Sequence, residues 1–222
     1  MVDIASRQLL GGLTASQFLR RHWQKTPLLV RQAVSDFRGV LSRAELFALA
    51  GRDDVESRLV RRVRGKWTLA QGPFRAADLR ALPARDWTLL VQGVNLHVAA
   101  ADALLRRFAF IPYARLDDVM VSYAAPGGGV GAHVDSYDVF LLQGEGRRRW
   151  KVGTHRVQPD DRELDPSMPV KSLTRLRPDA EYTPDPGARP YTAPGHAHPG
   201  APRHARAPHP RAGRTPAPPA GE

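Results

Sequence analysis

An imidazole and a carboxylate stand two residues apart in this chain, His133 and Asp135, just after a glycine-rich bend. The surrounding stretch, residues 119–153, reads VMVSYAAPGGGVGAHVDSYDVFLLQGEGRRRWKVG. In a strand, residues i and i+2 project from the same face. The two side chains would then point to one place from Cα atoms roughly 7 Å apart. A histidine and a carboxylate so placed are two-thirds of the facial triad that holds non-heme Fe(II) in oxygenases. Such a pair arises by chance in many proteins. Its setting makes it informative: a glycine bend before it, and an apolar run, a Gly-Glu-Gly turn and an arginine-rich strand after it.

That arginine-rich strand offers a second chemistry. Arg148, Trp150 and Val152 share one face, and Arg147, Arg149 and Lys151 the other. Trp150 and Val152 are natural core residues, so Arg148 is expected to point inward. A buried guanidinium needs an anion. A local acid such as Asp138 could supply it, or a carboxylate ligand gripped bidentately by the planar fork. Beside an iron site that carboxylate would be 2-oxoglutarate. Ser122, in parity with Met120 and Ala124, is either a plain strand serine or turns its hydroxyl toward the same cavity. The run Gly127-Gly-Gly-Val-Gly131 lacks the Lys-Ser/Thr of a nucleotide-phosphate loop and no helix follows it. Its glycines are expected to permit positive φ and close approach to a bound ligand.

These residues need elements to hold them. Thr14-Ala-Ser-Gln17 and Ser42-Arg-Ala-Glu45 are capping boxes that open helices. The first helix runs through Trp23 and is ended by Pro27; the second carries Leu46, Phe47 and Leu49 and stops at Gly51. Leu28–Arg31 reads as extended. Residues 56–63 and 66–70 flank Arg64-Gly65, a hairpin signal. Residues 87–91 form an apolar strand, and residues 99–108 a helix with Leu104, Leu105 and Phe108 on one face. Strands are then expected at 119–124, 131–135, 137–143 and 147–152. Helices early and antiparallel strands late predict an α+β fold with a barrel or sandwich of hairpins.

Composition bounds the rest. The chain has 222 residues, enough for one sizeable domain. Having no cysteine, it excludes disulfides, thiolate metal sites and a thiol nucleophile. The start MVDIASRQLLGG has neither the basic beginning nor the apolar run of a secretory leader, and no apolar run is long enough for a bilayer. A soluble, cytoplasmic protein without membrane contact is expected. A net charge of +11 fits an acidic partner such as RNA or the ribosome. Arginine is nonetheless spread along the chain, with no single basic stripe. From Pro184 to Glu222 there is no Leu, Ile, Val, Phe, Met or Trp. Such a segment cannot offset its ordering entropy, which predicts a disordered tail at 184–222 behind a domain at 1–183. Within that domain a helical part spans about 1–110 and the strands bearing the His-x-Asp pair span about 111–183.

The stretch VSYAAPGGGVGAHVDSYDVFLLQGEGRRRWKVG resembles the JmjC-type cupin ribosomal oxygenases of bacteria. So do LLGGLTASQFLRRHWQKTPLLVRQAV, LSRAELFALAGRDDVESRLV and WTLLVQGVNLH, so that the resemblance spans about residues 8 to 183. It implies a double-stranded β-helix that binds Fe(II), uses 2-oxoglutarate and O₂ as cosubstrates, and hydroxylates an arginine of a ribosomal large-subunit protein. By this resemblance His133 and Asp135 are the first two iron ligands, Arg148 pairs with the distal carboxylate of 2-oxoglutarate, and Ser122 also contacts it. The third ligand follows a strand and a Pro-Gly turn in the family. Here that stretch is Tyr191-Thr-Ala-Pro-Gly-His-Ala-His198-Pro-Gly200, with His198 in register and His196 as the alternative. Pro190 and the lack of apolar residues predict that the strand before His198 does not form. The β-helix would be incomplete at that end and the catalyst poor. The family's helical dimerisation region is not found after it.

Two other readings carry different expectations. A degenerate cupin would bind a carboxylate or a protein without turning it over. A basic ribosome- or RNA-associated protein would show RNA binding steeply dependent on salt and indifferent to pocket mutations.

Overall fold

The structure, a computed structural model, describes residues 7–131, 133, 135–152, 180–182, 185–195 and 200–202. Among the described residues the elements that position the site run as α1 (Ala15–Arg21), β1 (Leu28–Val30), α2 (Arg43–Ala50), β2 (Ser57–Val63), β3 (Lys66–Gln71), α3 (Ala76–Arg80) and β4 (Trp87–Val91). Then come α4 (Ala99–Arg106), β5 (Val121–Ala124), β6 (Val139–Phe140), β7 (Arg148–Val152), β8 (Ala180–Tyr182), β9 (Arg189–Thr192) and β10 (Gly200–Pro202). The class is α+β. Every strand pairing is antiparallel, in three sheets ordered β3-β2-β4-β5, β1-β9-β6 and β10-β7-β8.

Both capping boxes close reciprocally. The backbone N–H of Gln17 donates to Thr14 Oγ1 at 3.1 Å and that of Thr14 to Gln17 Oε1 at 2.9 Å. The Glu45 N–H donates to Ser42 Oγ at 3.3 Å and the Ser42 N–H to Glu45 Oε2 at 2.6 Å. Each box satisfies helix-end donors that would otherwise have no partner. The β2–β3 hairpin turns on Arg64 (φ 49°) and Gly65 (φ 82°), both left-handed, which is the turn whose twist matches paired strands.

Two faces of the large sheet do different work. Leu59, Trp87, Leu89, Val91, Val121 and Tyr123 pack on one side with Leu46, Leu49 and Ala50 of α2 and with Leu79 and Val94. The other side carries Arg58, Leu90 and Ser122 in register across β2, β4 and β5. Directly paired residues share a face, so this second side brings Arg58 and Ser122 together with the buried Leu90 between them, away from that cluster.

The segment after residue 183 departs from expectation. Residues 189–192 form β9 in the middle of a sheet, between β1 and β6. Gly200–Pro202 pairs with β7. The predicted disordered tail therefore does not describe residues 185–195 or 200–202; residues 203–222 lie outside the described residues. Burial without aliphatic residues explains β9. Tyr191 is fully buried, with its ring 5.0 Å from both Phe18 and Phe140 and stacked on Trp23. Arg189 is fully buried too: its Nε and Nη2 donate to the Leu9 carbonyl at 2.9 and 2.6 Å, and its guanidinium lies 4.8 Å from the Phe140 ring centre.

Pro190 is tolerated for a geometric reason. Its carbonyl accepts from the Leu141 N–H at 2.8 Å, so its backbone polar groups face β6. In an antiparallel ladder a residue directs both groups to one neighbour. The missing N–H removes one bond from the β6 side and none from the β1 side. No described helix is long and apolar enough to cross a membrane.

Candidate functional site

The glycine bend determines where His133 goes. Gly127, Gly129 and Gly131 all have positive φ, at 77°, 159° and 80°. A close approach within the protein demands glycine at 127 and 128. A Cβ on Gly128 would collide with the carbonyls of Trp87 and Ala125, and one on Gly127 with the Asp86 carboxylate. The bend is thereby pressed against the start of β4. Beyond it His133 is a single bridge residue rather than part of the expected 131–135 strand.

The two candidate ligands nevertheless converge. His133 Nε2 and Asp135 Oδ2 are 3.8 Å apart, with the side chains 20% and 21% exposed. His133 Nδ1 lies 3.2 Å from the Gly131 carbonyl. A carbonyl only accepts, so this contact requires the proton on Nδ1, and in the neutral ring Nε2 then turns its lone pair toward Asp135. Metal-bound histidines take this arrangement, with the remote N–H held by an outer acceptor. Among the described residues no group of three His, Asp or Glu gathers as a metal site. His198 and His196 lie outside the described residues. The turn before them does not: the Gly195 N–H donates to the Asp135 carbonyl at 2.9 Å, and Gly195 has φ 80°.

Arg148 and Ser122 also meet. Arg148 Nη1 donates to Ser122 Oγ at 3.3 Å, joining β7 to β5. Surrounding protein atoms strip water from the guanidinium and lower its pKa to about 10. The residue as a whole keeps partial exposure, as expected for a group in the wall of a cleft. Asp138, the local acid considered as its partner, is engaged elsewhere: its Oδ1 accepts from the Tyr191 hydroxyl and from the Gln24 N–H, the latter at 3.1 Å. Burial, and next the bond to Asp138, raise the Tyr191 pKa well above the usual phenol range. Arg147, on the opposite face of the strand from Arg148, forms an exposed pair with Asp185 at 2.6 Å.

Sequence reasoning missed the rest of the polar face. Arg58, Thr88 and Gln92 have buried polar atoms (Arg58 Nε, Thr88 Oγ1, Gln92 Oε1) without hydrogen-bond partners among the described residues. Thr88 sat unnoticed inside an apolar strand, and Arg58 among many arginines. Only the pairing of β2 with β4 shows that they share a face. Tyr137 projects nearby, 65% exposed. Its pKa is raised by partial loss of solvent and next by the Asp135 and Asp117 charges, against a lowering by Arg58.

An α+β scaffold that carries a His-x-Asp pair and a shielded arginine is what the structure presents, and comparison with known proteins gives its family. The JmjC domain family matches residues 103–215, half of the chain, and the chain belongs to that family. Ribosomal protein uL16 3-hydroxylase of Escherichia coli is 42% identical over 189 residues, 82% of this chain and 48% of the relative. A probable ribosomal oxygenase of Haemophilus influenzae is 41% identical over 142 residues, 64% of this chain and 35% of its own. The structure of YcfD, a ribosomal oxygenase from Escherichia coli, in complex with cobalt and 2-oxoglutarate superposes with a TM-score of 0.75 at 38% identity, over 86% of this chain and 48% of that one. The chain thus spans about half the length, or less, of the relatives it matches.

Proposed function

We propose that this chain carries the metal- and cosubstrate-binding part of a 2-oxoglutarate- and Fe(II)-dependent hydroxylase acting on a ribosomal large-subunit protein of the uL16 type. The observation that carries the reading is the approach of His133 Nε2 to Asp135 Oδ2 at 3.8 Å, with Arg148 and Ser122 joined at 3.3 Å on β7 and β5. The donor set fits the metal: one imidazole with its remote N–H held and one carboxylate suit iron with open positions. His133 and Asp135 would hold the iron, and His198 would complete the set. The Gly195–Asp135 hydrogen bond supports that third role, because it ties the chain three residues before His198 to the His-x-Asp segment. Iron held there would supply O₂ activation coupled to oxidative decarboxylation of 2-oxoglutarate to succinate and CO₂.

The chain's own residues do the positioning. Arg148 would grip the distal carboxylate of 2-oxoglutarate, a charge-assisted and directional contact. Ser122 Oγ, already accepting from Nη1, holds the guanidinium in place and can donate its own proton to the same carboxylate. Leu90, between Arg58 and Ser122 in the register, keeps water from the inner wall. The charge of +11 supports work near ribosomal RNA.

Anaerobic Fe(II) titration followed by succinate measurement with purified uL16 tests the reading. One iron per chain and uL16-dependent succinate are expected. Iron binding without succinate would instead favour a cupin that binds but does not turn over.

A further inference from the structure

The turn end of the β2–β3 hairpin carries Arg61, Arg62, Arg64 and Lys66, and no Asp or Glu occurs between Ser57 and Gln71. Arg62, Arg64 and Lys66 are exposed, and Arg61 is half-buried. Among the described residues none of these cations lies within ion-pair distance of a carboxylate. The acids that flank the hairpin are engaged with other arginines. Glu56 faces Arg58 at 3.8 Å, and Asp86, whose carbonyl accepts from the Arg62 N–H, pairs with Arg85 at 2.9 Å.

Strand register sorts the charges. Val63 pairs with Lys66 and Arg61 with Thr68, so Arg61 and Lys66 are diagonal neighbours on one face, about 7–8 Å apart. Arg62 pairs with Trp67 on the other face, and its guanidinium lies 5.7 Å from the centre of the Trp67 ring. That contact orders the cation in advance and reduces the side-chain freedom it loses on binding. Arg64 sits in the turn itself. The tip is thus positive on both faces and at its end. Like charges within a Debye length of about 8 Å repel, and a partner of opposite charge relieves that repulsion. Guarding an edge strand against mispairing accounts for a lysine on β3. It does not account for the three arginines, which lie on the inner strand β2 and in the turn.

We propose that this hairpin tip is a docking surface for RNA, gripped through its phosphate groups. Arginine presents a planar fork that matches phosphate oxygens, and arginine supplies all but one of the cations here. A flat acidic protein surface would meet one face of the ribbon, whereas a nucleic-acid groove walled by phosphates meets both. Val63, 45% exposed, gives the tip too little apolar surface to anchor it in a membrane. The proposal deepens the reading that the chain works near ribosomal RNA by naming the surface, and it draws on nothing in the metal site.

The experiment titrates the intact chain into a fluorescein-labelled RNA stem-loop over a range of salt concentrations, read by anisotropy. A variant with Arg61, Arg62, Arg64 and Lys66 all changed to Gln is set against one with Arg20, Arg21, Lys25 and Arg31 changed to Gln, an equal charge loss at other exposed positions. The hairpin variant is expected to bind at least about tenfold more weakly, with the slope of log affinity against log salt shallower by about 3, from roughly 0.7–0.9 per phosphate contact. The other variant is expected to keep most of the slope. Unchanged calorimetric binding of 2-oxoglutarate by the hairpin variant is expected as well. If that variant fails to fold, Arg64→Gln alone, in the exposed turn, should still lower the slope by about 1, and an unaltered slope overturns the proposal. Equal losses in the two fourfold variants would show that net charge alone binds RNA, which overturns the hairpin surface and leaves the ribosomal-RNA reading standing. No RNA binding by the parent chain overturns both, and leaves the cosubstrate site untouched. Tighter binding to phosphatidylglycerol vesicles or to a polyglutamate peptide than to the stem-loop, lost in the hairpin variant, overturns the choice of RNA.

Discussion

The backbone N–H of Gly195 donates to the carbonyl of Asp135 at 2.9 Å. This single bond connects a candidate metal ligand to a part of the chain whose composition promised no structure. It places the Pro194-Gly195 turn at the His-x-Asp pair, and the turn is in turn held by β9, whose Tyr191 is locked among Phe18, Trp23 and Phe140. The precision of the site thus depends on a strand far from it in sequence.

His133→Ala and Asp135→Ala are each expected to abolish Fe(II) binding. Each removes a direct ligand, which should exceed the roughly 10- to 100-fold loss typical of an outer-shell residue. Anaerobic titration measures it, and unchanged affinity in both variants would remove the pair from the metal site.

Arg148→Ala should weaken 2-oxoglutarate binding by about 1.5–3 kcal/mol, the range for hydrogen bonds to a charged group. Arg147→Ala should change it little, since Arg147 pairs with Asp185 at the surface. Calorimetric titration compares them, and equal losses would contradict the strand's facing.

Tyr191→Phe removes a hydroxyl that donates to Asp138 and accepts from the Gln24 N–H at 2.9 Å. A loss of about 1–3 kcal/mol of stability is expected, because the Asp138 and Gln24 groups lose a shared partner. Denaturant unfolding reads it directly. A variant as stable as the parent would show that water replaces the hydroxyl there without loss.

Much of this architecture was legible beforehand. The two capping boxes, the Arg64-Gly65 hairpin and the inward facing of Arg148 follow from local rules, because a cap, a turn or a strand face depends on neighbours in sequence. The β9 strand did not follow. Counting aliphatic residues undervalues Arg189 and Tyr191, whose long side chains bury hydrocarbon and satisfy their polar ends on Leu9, Gln24 and Asp138. The alignment of Arg58, Leu90 and Ser122 was equally hidden, since it exists only once β2, β4 and β5 are paired. The third-ligand assignment to His198 concerns residues outside those described.

A version of the chain ending after Thr183 should therefore lose more than a tail. Without β9, β1 and β6 have no common partner, and the aromatic cluster around Phe18 opens to water. Exposed apolar surface and an unpaired strand edge favour aggregation. Dye binding and loss of a cooperative thermal transition are expected, and a sharp transition equal to that of the full chain would show that β9 is dispensable.

The same strand has a consequence for how the molecule is made. Arg189 reaches back to Leu9 across 180 residues of chain. The large sheet and α2 are assembled from a contiguous stretch and can collapse while synthesis continues, whereas the layer around Phe18 must wait for β9 to emerge. Long-range closure of this kind is slow, and domains form in order as the polypeptide leaves the ribosome. During that interval the N-terminal aromatic residues stand exposed beside the translation machinery, which makes this layer the one most in need of a chaperone.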